Sequence, residues 1–119
     1  MRTTIFAAAI FLSGFAHAHE TTGPNGGRVV DAGNLHVELV ASGKSVNVFV
    51  TDANDKPVPA ADFKGTAILV VDGKALRVPL APAKDNRLTG AAQVEIPDAA
   101  KGAVQLQLPG GGTVQGRFQ

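Results

Sequence analysis

From Arg28 onward the chain predicts an all-β domain, an antiparallel β-sandwich of seven to eight short strands. Three observations carry that expectation. Apolar residues recur at every second position over runs of five to eight residues, the period of a strand with one buried face. The runs are separated by stretches rich in Gly, Pro, Asn and Asp at the short spacing typical of hairpins and sandwich turns. No run shows helical spacing, apart from "PDAAKG", starting at Pro97, where a single turn fits. The size and the strand spacing are those of an immunoglobulin-like domain.

The elements follow in order. Residues 19–27, "HETTGPNGG", form a polar arm with no periodicity, expected to be flexible unless something ties it down. In "NLHVELV", Leu35, Val37 and Leu39 share one face and His36 and Glu38 the other. In "KSVNVFV", Val46, Val48 and Val50 share a face. A two-residue turn at Ser42-Gly43 joins these runs and pairs Leu39 with Val46, Val37 with Val48 and Leu35 with Val50. "DANDKPVPAADFKG" is a long connection broken by Pro57 and Pro59. "TAILVVDGKALRVPL" is a hairpin around Asp72-Gly73, the strongest short turn signal in the chain. "APAKDNRLTG" predicts a loop, and "AQVEIP" a weaker strand. "AVQLQL" places Val104, Leu106 and Leu108 inward. After the "PGGG" turn, "TVQGRF" turns Val114 and Phe118 inward. One domain, residues 28–119, accounts for all of this.

The first 18 residues are a different kind of segment. Arg2 gives a charged start, residues 5–15 are apolar apart from Ser13 and Gly14, and Ala16-His17-Ala18 is a small-x-small cleavage pattern. The apolar run is shorter than the roughly 20 residues of a membrane span. A secretory signal peptide cleaved after Ala18 is the expectation, which makes the product exported and without a membrane span. The chain has 119 residues and no cysteine, so its fold has no disulfide framework. Without residues 1–18, ten basic side chains balance ten acidic ones, and Phe49, Phe63 and Phe118 are the remaining aromatics. A neutral chain with so few rings lacks the basic patch and stacking platform of a nucleic-acid binder. A domain of about 100 residues is long enough for an ordinary core and is expected to be a monomer.

Catalysis finds little support. Beyond the signal, the serines are Ser42 and Ser45, in or beside a predicted turn, and no nucleophile elbow or oxyanion hole is suggested. "GPNGGRVV" lacks both Gly-rich phosphate-loop patterns and has no helix after it. The chain is read as not an enzyme. His36 and Glu38 are more informative. At i and i+2 on a strand they project from one face, roughly 7 Å apart. An imidazole and a carboxylate so placed suit a divalent ion such as Cu(II) or Zn(II), or else simply form a solvated polar face. Cleavage after Ala18 leaves His19 with a free amine that, together with its ring, chelates such an ion. Unperturbed termini titrate at about pH 7.7–8.0, so deprotonation costs little. A cut that merely happens to fall before a histidine is the plain alternative.

The runs "GGRVVDAGNLHVELV", "VNVFVTDANDKPVPAADFKGTAILV" and "VPLAPAKDNRLTG" resemble small periplasmic proteins of Gram-negative bacteria. Related modules stand near the N-terminus of the periplasmic adaptor subunits of heavy-metal efflux systems of the resistance-nodulation-division type. The resemblance covers most of the chain from about Gly26 to Phe118, and Gly26, Gly27, His36 and Glu38 match its most specific part. Asn25 stands where the resemblance leads one to expect a histidine, and Leu35 where a second one sometimes sits. The resemblance implies a periplasmic β-sandwich linked to the handling of transition metals, with a heavy-metal efflux complex component as partner. The expected metal ligands are His19, His36 and Glu38. A metal-free interaction module that docks on an envelope complex is the alternative.

The intact mass of the exported protein is expected to correspond to a chain beginning at His19. A mass that retains Met1, or one that shows a cut several residues later, contradicts the cleavage reading and removes the terminal amine from consideration.

Overall fold

The computed structural model describes residues 20–119. The signal segment, His17 and His19 lie outside the described residues. Among the described residues nine strands are present: β1 (Thr21–Thr22), β2 (Arg28–Ala32), β3 (Leu35–Ser42), β4 (Ser45–Thr51), β5 (Lys64–Val71), β6 (Lys74–Pro82), β7 (Arg87–Ala91), β8 (Lys101–Gln107) and β9 (Thr113–Phe118). Each pairs antiparallel with its neighbours in the order β1-β2-β3-β4-β7-β6-β5-β8-β9. The all-β antiparallel class is therefore as expected, but the strands form one hydrogen-bonded sheet and number nine.

The long strand β6 joins the two halves of the sheet. Residues 74–80 pair with β5, after which Ala81 and Pro82 pair with Thr89 and Leu88 of β7. The sheet curls into a half-barrel until β9 lies against β2. Backbone approaches side chain closely at this closure. A Cβ added at Gly116 of β9 would stand 2.8 Å from Val30 and 2.9 Å from Val37. Only glycine fits there, since larger residues would push β9 away.

The core lies on the concave face. Val37, Val46, Val48, Val50, Leu69, Leu88, Val104 and Leu106 are fully buried, and Phe118 closes the far edge. The alternation read from sequence thus assigns this face correctly for Val37, Leu39, Val46, Val48, Val50 and Leu106. Leu35, Leu108 and Val114 are half-buried, packed against the rim of the core.

Three local expectations are corrected. The first is the β3–β4 register, in which Leu39 pairs with Val48, Val37 with Val50 and Ser42 with Ser45, so the turn is Gly43-Lys44. Gly43 has φ +60° and Lys44 has no positive φ, the pattern of a turn that wants Gly at its first central position. Reading the turn one residue earlier put Gly second and moved the pairing by two residues, which leaves the faces unchanged. The Asp72-Gly73 turn, by contrast, forms as read: both residues have positive φ, and Val71 pairs with Lys74.

The second correction concerns "AQVEIP", which is not a strand; Val94 is 43% exposed. The segment is instead tacked to the β3–β4 turn, as Ala92 N–H donates to Lys44 O and Ile96 N–H to Gly43 O. The third is β7, formed by "RLTGA" within the expected loop. Leu88 is its one buried residue, so the segment shows no alternation to read. Its place is set by pairing Leu88 with Val48 on the adjacent strand. "PDAAKG" does make a single turn, closed by Ala100 N–H donating to Pro97 O.

Leu69 is fully buried at the centre of β5. Replacing it with Ala is expected to cost about 2–5 kcal/mol through lost burial and a residual cavity, measured by urea unfolding. An unchanged midpoint would contradict this placement of the core.

Candidate functional site

The convex face of β2, β3 and β4 carries the residues of interest. Cross-strand partners share a face, and the register pairs Thr21 with Val29, Val29 with Glu38, and Asp31 with His36. Their side chains therefore stand together on the face opposite the core. Here the N-terminal arm folds back over the sheet, and here Glu38 and His36 meet different fates.

Glu38 was expected to be accessible, but it is 4% exposed, the one buried charged residue among those described. The arm covers it. Its Oε2 accepts the backbone N–H of Asn25 at 2.9 Å and of Gly27 at 2.8 Å, and its Oε1 accepts the Asn25 amide Nδ2–H at 2.9 Å. A buried carboxylate is tolerated only when donors replace its water, and three do so here. The arm is shaped for the task. Gly23 N–H donates to Gly27 O, and Gly26 N–H donates to Gly23 O, folding "GPNGG" into a compact turn. A Cβ at Gly23 would stand 2.4 Å from the Glu38 carboxyl carbon, and one at Gly27 2.3 Å from Leu39 O. The glycine-rich stretch is therefore a clasp around a carboxylate, not a free linker. Beyond it, Thr21 and Thr22 pair with β2. Glu20 accepts Gln119 N–H and lies 3.9 Å from Arg28, whose guanidinium also donates to Ala100 O and sits over the Phe118 ring.

His36 sits in a shallow groove lined by Thr21, Val29, Asp31 and Asp55. Its side chain is 29% exposed, while those of Asp31 and Asp55 are 81% and 83% exposed. Nε2 lies 3.2 Å from Asp31 Oδ1 and Nδ1 lies 3.0 Å from Asp55 Oδ1. Asp31 is placed by the β2–β3 ladder. Asp55 comes from the β4–β5 connection, where it takes φ +64°. That connection is built around Asp52, whose Oδ1 accepts the N–H groups of Asn54 at 2.8 Å and Lys56 at 3.0 Å. The Lys56 and Asn54 backbone bonds hold the Asp52 carboxyl below the usual carboxylate range. Because its pKa is depressed in the folded state, this support is present above the ordinary carboxylate pKa. It is lost as pH falls through the lowered value. The turn that presents Asp55 is thus intact at neutral pH.

The structure therefore brings His36 together with Asp31 and Asp55 and assigns Glu38 to the arm. Asp31 was legible, because a Gly33-Asn34 turn places it opposite His36, but the β2–β3 hairpin was not read from the sequence. No local signal tied Asp55 to His36, which lies 19 residues earlier. Among the described residues, no group of three or more histidine, cysteine or acidic side chains is arranged to hold a metal ion as it stands. Comparison with known protein families, with curated proteins and with solved structures finds no match.

Glu38→Ala removes the acceptor of three N–H groups. It is expected to lower stability by about 1–3 kcal/mol and to speed amide hydrogen exchange at Asn25 and Gly27 far more than at β3 amides. Exchange at those two amides that stays as slow as in the parent protein would show that the clasp does not depend on this carboxylate.

Proposed function

We propose that the protein is a periplasmic, non-catalytic accessory protein that binds a transition metal, Cu(II) or Zn(II), in association with a heavy-metal efflux complex. One observation carries the reading: the His36 ring is held at the protein surface between two exposed carboxylates. That grouping supplies an imidazole in a locally negative setting, which suits a divalent cation. The arm supports it as well. Thr21 shares the outer face with Asp31 and His36, and His19 stands two residues before it in sequence. His19 and His36 are the nitrogen ligands of this proposal. Glu38, the oxygen ligand expected from sequence, instead fixes the arm that carries Thr21 beside His36. The immunoglobulin-like sandwich belongs to the same proposal, supported by the curl of the sheet that brings β9 into contact with β2.

Titration of the exported protein with Cu(II) and Zn(II) against a competing chelator tests the reading. Micromolar or tighter binding is expected, weakened by His36→Ala and independently by acetylating the N-terminus. Protons compete for the same nitrogens, so affinity is expected to fall as pH drops through the range where free imidazole protonates, about 6.5. Binding lost on acetylation alone would reduce the site to an isolated terminal chelate. No binding beyond that of an exposed histidine would favour the metal-free docking module.

A further inference from the structure

In a neutral imidazole one ring nitrogen donates and the other offers a lone pair. His36 has a carboxylate oxygen against each nitrogen, 3.2 Å from Nε2 and 3.0 Å from Nδ1. The Nδ1 contact with Asp55 is a hydrogen bond and the Nε2 contact with Asp31 an ion-pair approach. With Nδ1–H donating to Asp55, the Nε2 lone pair therefore stands beside the Asp31 carboxylate unless a cation lies between them. A second ring proton fills that role, and so does a metal ion. We propose that His36 Nε2 and Asp31 Oδ1 form a two-point site for a divalent transition metal, with Asp55 accepting Nδ1–H as the carboxylate that orients the ring. This inference rests on the metal-binding reading above and moves the oxygen ligand from Glu38 to Asp31.

The geometry separates the two aspartates. With metal–nitrogen and metal–oxygen bonds of about 2.0–2.2 Å, two donors stand about 2.9 Å apart at a right angle and about 3.4 Å apart at a tetrahedral angle. The 3.2 Å between Nε2 and Asp31 Oδ1 lies within that interval. Asp31 and His36 are direct cross-strand partners, so the sheet itself sets their separation. Asp55 reaches the opposite side of the ring from the turn organised by Asp52. A carboxylate on one ring nitrogen and a metal on the other is the common arrangement of metal-bound histidine, in which the carboxylate fixes the tautomer and raises ligand basicity. Glu38 is poorly suited to the role, since both its oxygens already accept N–H groups from the arm. The groove beside Asp31 is bounded by Thr21 and Val29, leaving the remaining coordination positions to water.

Zn(II) titration against a competing chelator, with the exported chain and its variants, tests the assignment. Asp31→Asn and His36→Ala are each expected to weaken Zn(II) binding by more than about 100-fold. Asp55→Asn is expected to weaken it by about 10- to 100-fold, the usual effect of losing an orienting partner. Asp31 and Asp55 are exposed, so their variants should melt close to the parent, and a thermal scan checks that they are folded. Nitrogen-15 spectra of the Zn(II)-loaded protein should show Nδ1 of His36 still protonated and Nε2 shifted by the metal. If His36→Ala abolishes binding while Asp31→Asn binds like the parent, the metal-binding reading stands and this assignment falls. Metal on Nδ1 overturns it equally. If the parent protein does not bind Zn(II) or Cu(II), both fall together.

Discussion

Burying a carboxylate in a protein costs several kcal/mol unless donors replace its water, and Glu38 is buried only because the arm delivers three of them. The dependence runs both ways. The arm has no core of its own: Thr21 and Thr22 are exposed, and its residues contribute nothing to the buried cluster. Its position against the sheet comes from charge-assisted hydrogen bonds to one side chain and from glycines small enough to let the backbone reach it. With the arm in place, β1 pairs with β2, Thr21 lines the His36 groove, and Glu20 reaches Arg28 and the backbone beyond β9. The convex face is thus organised from one carboxylate outward, and the concave face by ordinary apolar packing.

The core was largely legible because it is written in period two. Valines at 46, 48 and 50 and the Val37–Leu39 pair announce their face whatever the register, and even a turn read one residue early left every side chain on its correct side. β7 was illegible for the complementary reason: with Leu88 as its single buried residue, its strand character exists only through pairing with β4. The same limit applied to Glu38. Alternation correctly placed it opposite Val37 and Leu39, but burial on that face depends on a segment more than ten residues away folding over it. Sequence periodicity reports which face a residue is on and says nothing of what covers that face. Asp55 was beyond reach in the same way, since the β4–β5 turn that aims it is held by side chain-to-backbone bonds with no periodic signature.

Two neighbouring residues of one strand illustrate how differently a fold uses polar groups. Glu38 and His36 differ by one pleat, yet one is sealed under glycines and satisfied by neutral amides, while the other stays half-open between charged oxygens. Amide donors around Glu38 make a rigid, closed arrangement whose partners all belong to the chain. The carboxylates beside His36 are themselves largely open to solvent. Burial and exposure are thereby divided between two polar residues of β3, each set by which segment folds onto it.

The arm also guards the chain against its own kind. A strand at the border of a sheet offers unpaired N–H and C=O groups as a template for another molecule, a hazard that proteins manage by covering or shortening such borders. Without the arm, five-residue β2 would form that border, with Val29 and Val30 in it. Two residues of β1 occupy part of the ladder, and the clasp on Glu38 keeps them there. Loss of the clasp would therefore do more than loosen a terminus: it would turn a finished border into an adhesive one, and self-association would compete with folding.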